Sequence, residues 1–277
     1  MPIITNLHVY PVKSLHGIRL KKGKITTRGL QFDRNWMIID QEGKFLTQRK
    51  LPEMAAIRVS LSSEHLHFEH GKSSASISTR KNYKQHKVTE VWGDRCEAFD
   101  EGDNISQWLS NVLGQQGLRL LRFRNSFKRR VDADFLDGED AHTAFTDGFP
   151  FLITSEESLT MLNDRLAQTG ALPITMDRFR PNIVIKGLQP FQENEINELQ
   201  TADGTIRFGL RKPCKRCKVT TVDQKIGKVE NPTEPLRTLT AMKTVPGLHG
   251  AYFGQNATLL TGENKVLCVD DELVLNF

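Results

Sequence analysis

No stretch of the 277 residues approaches the ~18 consecutive apolar residues of a membrane-spanning helix. The opening, MPIITNLHVYPVKS, also lacks the basic-then-apolar layout of a secretory signal. Together these absences predict a cytoplasmic protein with no membrane partner. Cysteine is scarce: Cys96, Cys214, Cys217 and Cys268 are too few and too unevenly spaced for a disulfide scaffold. In a reducing compartment they stay as thiols, open to chemical use. There is no second Cys-x-x-Cys pair and no plant-type C-x4-C-x2-C cluster pattern. No repeat of about 20 to 50 residues and no low-complexity tract is visible, which excludes a solenoid.

What is present reads as globular, with 38% hydrophobic and 26% charged residues. The length suits one large or two modest domains. A net charge of +5 permits an anionic partner without identifying one. The densest basic run, Phe123 to Arg130, is followed at once by Asp132, Asp134, Asp137, Glu139 and Asp140. That is a compensated, solvated loop. With no basic stripe interleaved with aromatics, nucleic acid is not the expected partner.

Strand patterns dominate. IITNLHVYPV alternates, GLQFDRNWMIIDQEGKFLTQR has two runs joined by Asp40 to Gly43, and HLHFEHGKSSASIS pairs around Gly71. DNISQWLSNVL predicts a helix over 104–113, with Asp103 or Asn104 as N-cap and Ile105, Trp108, Leu109 and Leu113 as its apolar stripe. Farther on, Phe149 to Ile153 reads as a buried strand, Ser155 as a second N-cap and Gly170 as the stop. RFRPNIVIKG, GTIRFGL, CKVTTVD, NATLL and KVLCVDDELVL read as strands, and EPLRTLTAMK as a helix. Strands outnumber helices without alternating with them. The expected class is α+β, mainly β, with a barrel-like architecture and a few packed helices.

KPCKRCKVTTVD, Lys212 to Asp223, sets two thiols three residues apart among cations. A structural zinc site needs four ligands, and the distant His65, His67 and His70 do not share one strand face. A thioredoxin-like pair opens a helix, whereas KVTTV reads as a strand. Lys212, Lys215, Arg216 and Lys218 would favour a thiolate, and such a thiolate suits a soft metal with an anionic cofactor. On these residues alone, a partly buried structural cysteine with a basic flank stands beside that reading.

The phrase KPCKRCKVTTVD…EPLRTL, with RFRPNIVI before it and FGQN after it, resembles the molybdenum cofactor sulfurase C-terminal (MOSC) domain. VYPVKS…GLQFDRNWMIIDQEGKFLTQR resembles the β-barrel domain that precedes MOSC domains, in the order found in the mitochondrial amidoxime-reducing component and its bacterial relatives. The resemblance implies an N-terminal β-rich domain over 1–118 and a MOSC domain over 119–277. It implies that Cys217, the second cysteine of the pair, is the molybdenum ligand, with Cys214 an idle neighbour. Molybdopterin contacts carry over to Lys13 and Ser14, Arg34, Arg180 and Asn182, Lys215 and Arg216, and Asn256. Gly148 and Phe149 approach the cofactor through their backbone. Asp223 is a further candidate for orienting a group near the site.

The function so implied is molybdenum-dependent reduction of hydroxylamines, amidoximes and N-hydroxylated purine bases, serving detoxification. Two electrons and two protons would come from a separate flavin or iron-sulfur protein, because the chain shows no cluster motif before Phe277. The alternative is a sulfur carrier or a protein that binds and transfers the molybdenum cofactor.

Overall fold

The computed structural model describes residues 1–80 and 85–277, and its architecture is α+β and dominated by strands. Eight strands form the largest sheet, in the order Ile18–Leu20, Ile3–Val9, Ile183–Lys186, Phe151–Ser155, Tyr252–Thr261, Arg207–Lys215, Glu198–Thr201 and Leu273–Asn276. Among the described residues only Phe151–Ser155 and Ile183–Lys186 run parallel within it, joined across the helix Glu156–Gln168. The two ends of this sheet meet. Ile4 N donates to Asp271 O at 3.0 Å, Asp270 N to Ile4 O at 2.8 Å and Leu273 N to Pro2 O at 2.9 Å, beside the bridge Ile3 to Glu272. These bonds close the sheet into a barrel and remove an open edge. Ile4, Leu7, Phe151, Ile153, Ile183, Phe208 and Ala257 fill its interior.

The strand Phe151–Ser155 begins two residues later than the pattern predicts, after Pro150, which has no N–H for a ladder. Ser155 caps the following helix as expected, its Oγ accepting from Ser158 N at 3.1 Å. Gly170, at φ +76°, supplies the left-handed residue just beyond its end. The predicted EPLRTLTAMK helix spans Leu236–Met242.

A four-stranded sheet joins Trp36–Ile39, Arg119–Phe123, Asp94–Asp100 and His86–Val91. Its strand Trp36–Ile39 is buried on both faces, and the period of two divides it. Trp36 and Ile38 meet Leu109 and Leu113 of the helix Asp103–Leu113, whereas Met37 and Ile39 meet Phe123 and Phe145. This helix is capped by Gly102 at φ +100°, not by Asp103 or Asn104. Asp103 instead lies in the first turn, where its carboxylate pairs with Arg119 at 2.7 Å. His65–His70 and Ser73–Ser78 form the expected hairpin, within a sheet completed by Arg58–Leu61. The segments on either side of residue 118 interleave: Ile3–Val9 is a barrel stave, and Arg119–Phe123 completes the four-stranded sheet.

One strand expectation is overturned. CKVTTVD turns into a 3-10 helix over Lys218–Thr221, and only Val222–Asp223 is extended. Local hydroxyl bonds explain the turn, with Thr220 Oγ1 donating to Cys217 O at 2.9 Å and Thr221 Oγ1 to Lys218 O at 2.8 Å. Threonine side chains here compete with the sheet ladder for backbone acceptors.

Candidate functional site

A cleft opens where the barrel meets the N-terminal segment. Lys13, Ser14, Arg34, Gly148, Phe149, Arg180, Asn182, Lys215, Arg216, Cys217 and Asn256 all line it. Residues up to 243 positions apart in sequence, Lys13 to Asn256, are thus brought to one wall. Ser14, Arg34 and Arg180 hold positive φ angles of +69°, +45° and +56°. Such non-glycine conformations persist only where the surroundings enforce them. Around Arg34 those surroundings are evident: Arg34 N donates to Tyr10 O at 2.8 Å, and Tyr10 N donates to Asp33 Oδ1 at 2.9 Å.

Arg34 and Arg180 both lie over the buried Tyr10 ring, with guanidinium carbons 4.2 and 4.3 Å from its centroid. Arg34 Nη1 also pairs with the buried Asp33 carboxylate at 2.6 Å. Burial pushes the Asp33 carboxyl upward, against the pull of Arg34. Arg180 donates from Nη1 to Gln224 Oε1 at 3.1 Å. Burial, reinforced by the neighbouring Arg34 charge, lowers its pKa to about 10. Gln224 and Gln48 exchange amide bonds at 2.9 and 3.1 Å, and Gln48 Nε2 reaches Ser14 O at 2.7 Å. This amide pair ties the loop that carries Gln224 to the N-terminal segment that carries Ser14 and Gln48. Asn182 is committed to the framework: Nδ2 donates to His8 O at 3.2 Å, and Oδ1 accepts from Leu152 N and Arg34 Nη1, each at 3.2 Å. From the cleft wall it also holds Arg34 in place.

Cys217 sits at the N-cap of the 3-10 turn, with its Sγ accepting from Arg49 Nε at 3.2 Å. Arg49 was not among the cations that the sequence pointed to. Of those that were, Arg216 donates from Nη1 to Cys214 Sγ at 2.7 Å, Lys212 lies over the Phe135 ring at 3.6 Å, and Lys218 is exposed. Among the described residues, the hydrogen bond to Cys217 Sγ comes from Arg49 and from none of these cations. Arg49 arrives from 168 residues away, so no local pattern announces it. Asp223 does not line the cleft. Its Oδ1 accepts from Lys225 N and Ile226 N at 2.8 and 3.2 Å, which shapes a surface turn.

At the mouth, Lys13 Nζ donates to Phe145 O at 2.9 Å and Asp147 Oδ1 at 2.5 Å. Burial pulls the Lys13 pKa down, against the pull of Asp147. Burial would raise Asp147, but Lys13, the Trp92 N–H and Arg49 outweigh it and hold the carboxyl well below its usual range. The lining residues include six cations, Lys13, Arg34, Arg49, Arg180, Lys215 and Arg216, against Asp147 as the single acid.

Residues 1–116 match the MOSC N-terminal beta barrel domain and residues 140–274 the MOSC domain. The chain belongs to the MOSC-domain family, in the two-domain form. Human mitochondrial amidoxime-reducing component 1 is 33% identical over 263 residues, covering 91% of this chain and 75% of that protein. The rat mitochondrial amidoxime reducing component 2 is 29% identical, covering 85% and 71%. The molybdenum cofactor sulfurase of Drosophila grimshawi is 30% identical over 96% of this chain, but the chain spans only 33% of that protein's length.

The residues fit an anionic pterin cofactor. Arg180 Nη2 and Arg216 Nε are buried and have no hydrogen-bond partner among the described residues, and both side chains line the cleft. Each unmade bond of this kind costs about 1–3 kcal/mol, which the oxygens of a phosphate or the acceptors of a pterin would recover. Among the described residues, no group of three or more His, Cys, Asp and Glu side chains is arranged to hold a metal ion. A metal at Cys217 would take its remaining donors from a cofactor rather than from the protein.

Proposed function

We propose that this protein reduces N-hydroxylated compounds with a molybdenum cofactor whose metal is held by Cys217. The observation that carries the reading is the Cys217 thiol, bonded by Arg49, in a cleft that it shares with Cys214 and that holds six cations and two buried guanidinium nitrogens without a partner among the described residues. When bound, the cofactor supplies a two-electron centre able to remove oxygen from an N–OH group. Overall, the N–O bond breaks, two electrons and two protons enter, and the amine, amidine or purine leaves with one water.

The chain's own residues hold and orient. Arg180, Arg216 and Lys215 take the phosphate and pterin acceptors, and Ser14, Asn256 and the backbone of Gly148 and Phe149 border the same space. Arg34, fixed by Asp33 and Asn182, adds a positive charge that cannot swing away. Arg49 steadies the Cys217 sulfur through its Nε hydrogen bond. Asp147 stays a carboxylate, so it orients Lys13 and Arg49 and does not deliver a proton. Electrons come, in this reading, from a separate flavin or iron-sulfur protein.

The sulfurases among the relatives favour a second reading, a carrier of sulfur or of the cofactor itself. Protein made in a molybdenum-competent host separates the two. The reductase contains about one molybdenum and one phosphorylated pterin per chain. It turns over benzamidoxime with a reduced dye or a flavin or iron-sulfur reductase, and not with a nicotinamide cofactor alone. Labile sulfane sulfur on Cys217 without turnover supports the carrier. Stoichiometric zinc without pterin overturns both.

A further inference from the structure

Trp92 is 51% exposed and stands at the rim of the cleft. It occupies the tip of the hairpin between His86–Val91 and Asp94–Asp100, where Trp92 and Gly93 are the two loop residues. Their φ angles, +54° and +97°, are both positive, the pattern of a type I′ turn. Asn or Asp before Gly meets that demand readily. A bulky aromatic residue there is an outlier that stores backbone strain.

Three contacts hold the indole against the cleft wall. Nε1 donates to Asp147 Oδ1 at 3.0 Å, the Arg49 guanidinium lies 4.4 Å from the ring centroid, and Phe45 meets the ring edge-on at 4.9 Å. Arg49 and Asp147 both line the cleft, and Arg49 Nε reaches Cys217 Sγ at 3.2 Å. The indole is therefore a single side chain removed from the thiol, and half of its surface is uncovered. A large flat aromatic in a strained turn, braced through Arg49 toward the Cys217 sulfur, makes a stacking surface.

We propose that Trp92 selects substrate. Its uncovered surface stacks planar aromatic N-hydroxylated compounds at the cleft mouth and places the N–OH group inward, so that aromatic amidoximes and hydroxylated bases are preferred to aliphatic ones. This rests on the reductase reading of the cleft. Trp92→Asn removes the ring while suiting the turn, and Trp92→Phe restores a flat ring.

Two measurements on cofactor-loaded full-length protein test it. Without an electron donor, titrating benzamidoxime changes the indole emission saturably, acetamidoxime does not, and the change is lost in Trp92→Phe, which retains the buried Trp36 and half-buried Trp108. With reduced dye, Trp92→Asn lowers the ratio of kcat/KM for benzamidoxime to that for acetamidoxime about tenfold, mainly through KM, and Trp92→Phe recovers most of it. Equal effects on both substrates, or emission indifferent to benzamidoxime, overturn the assignment. If no protein reduces either compound, the reductase reading falls, and the emission titration alone decides whether the aromatic surface binds.

Discussion

Arg180 offers a direct measure of whether the cleft is built for a phosphate. Its Nη2 and the Arg216 Nε of the same cleft are buried donors without partners among the described residues, and burial beside Arg34 depresses the Arg180 pKa to about 10. Two charge-assisted bonds at a net worth of roughly 2 kcal/mol each correspond to a dissociation constant near ~1 mM for inorganic phosphate. At about 20 mM phosphate, linkage then stabilises the cofactor-free protein by RT ln(1 + [L]/Kd), roughly 1.8 kcal/mol. For a chain of this size that is a rise of about 4 °C in melting temperature. Differential scanning fluorimetry at matched ionic strength reads it directly. Arg180→Gln removes one donor and most of the effect. General exclusion of phosphate from protein surfaces raises both proteins alike, so the difference between the two shifts is the signal. Identical shifts in wild type and Arg180→Gln would refute the reasoning that these nitrogens await an anion.

Cys217→Ala abolishes reduction of N-hydroxylated substrates at equal pterin loading, whereas Cys214→Ser loses much less activity and ~1 to 3 kcal/mol of stability at most; equal inactivation by both would favour a dithiol mechanism. Gln224→Leu deprives Gln48 and Arg180 Nη1 of partners and should cost about 2–4 kcal/mol in urea unfolding, with a loss under ~1 kcal/mol refuting a structural role for the amide pair. His8 gives a pH signature: burial first, then Arg19, lowers its pKa from 6.5 to about 4, so the folded state resists protonation that the unfolded chain accepts. As pH falls from 6.5 toward about 4, the unfolded state binds the extra proton and stability drops by up to ~3 kcal/mol from this group, levelling off below. His8→Gln flattens that part of the profile in urea titrations at several pH values, and an unchanged profile would place the His8 imidazole in solvent.

The sequence made the class legible because short β-branched and apolar runs, some alternating and some buried throughout, outnumber the helices, and because Ser155 and the Asp103 region announce their helices within a residue. It also pointed to eleven residues that the fold gathers in one cleft, since their motifs survive intact as short local phrases. What it concealed is of a different kind. Arg49 reaches Cys217 across 168 residues, and Trp92 reaches Asp147 across 55, and neither contact leaves a periodic trace. CKVTTVD looked like a strand because β-branched residues favour one, yet the same threonines carry hydroxyls that close a local turn. Asn182 lines the cleft, as the resemblance implies, and its three bonds make it a brace for Arg34 as well, which no local pattern shows.

The seam of the barrel has a consequence for how this protein is made. Pro2, Ile3 and Ile4 leave the ribosome more than 260 residues before their partners at 270–273. Until those partners emerge, Ile3–Val9 has one ladder edge without its final partner, and the interior that Ile4 and Leu273 share stays open to water. Pairing across almost the whole sequence is slow, and an unpaired stave is a template for aggregation. The four-stranded sheet around Trp36–Ile39, with all its strands between residues 36 and 123, can form earlier and shelter the nascent chain. Lys13 and Arg34 emerge early, and Cys217 and Asn256 some two hundred residues later, so the cleft is complete only once both groups are in place.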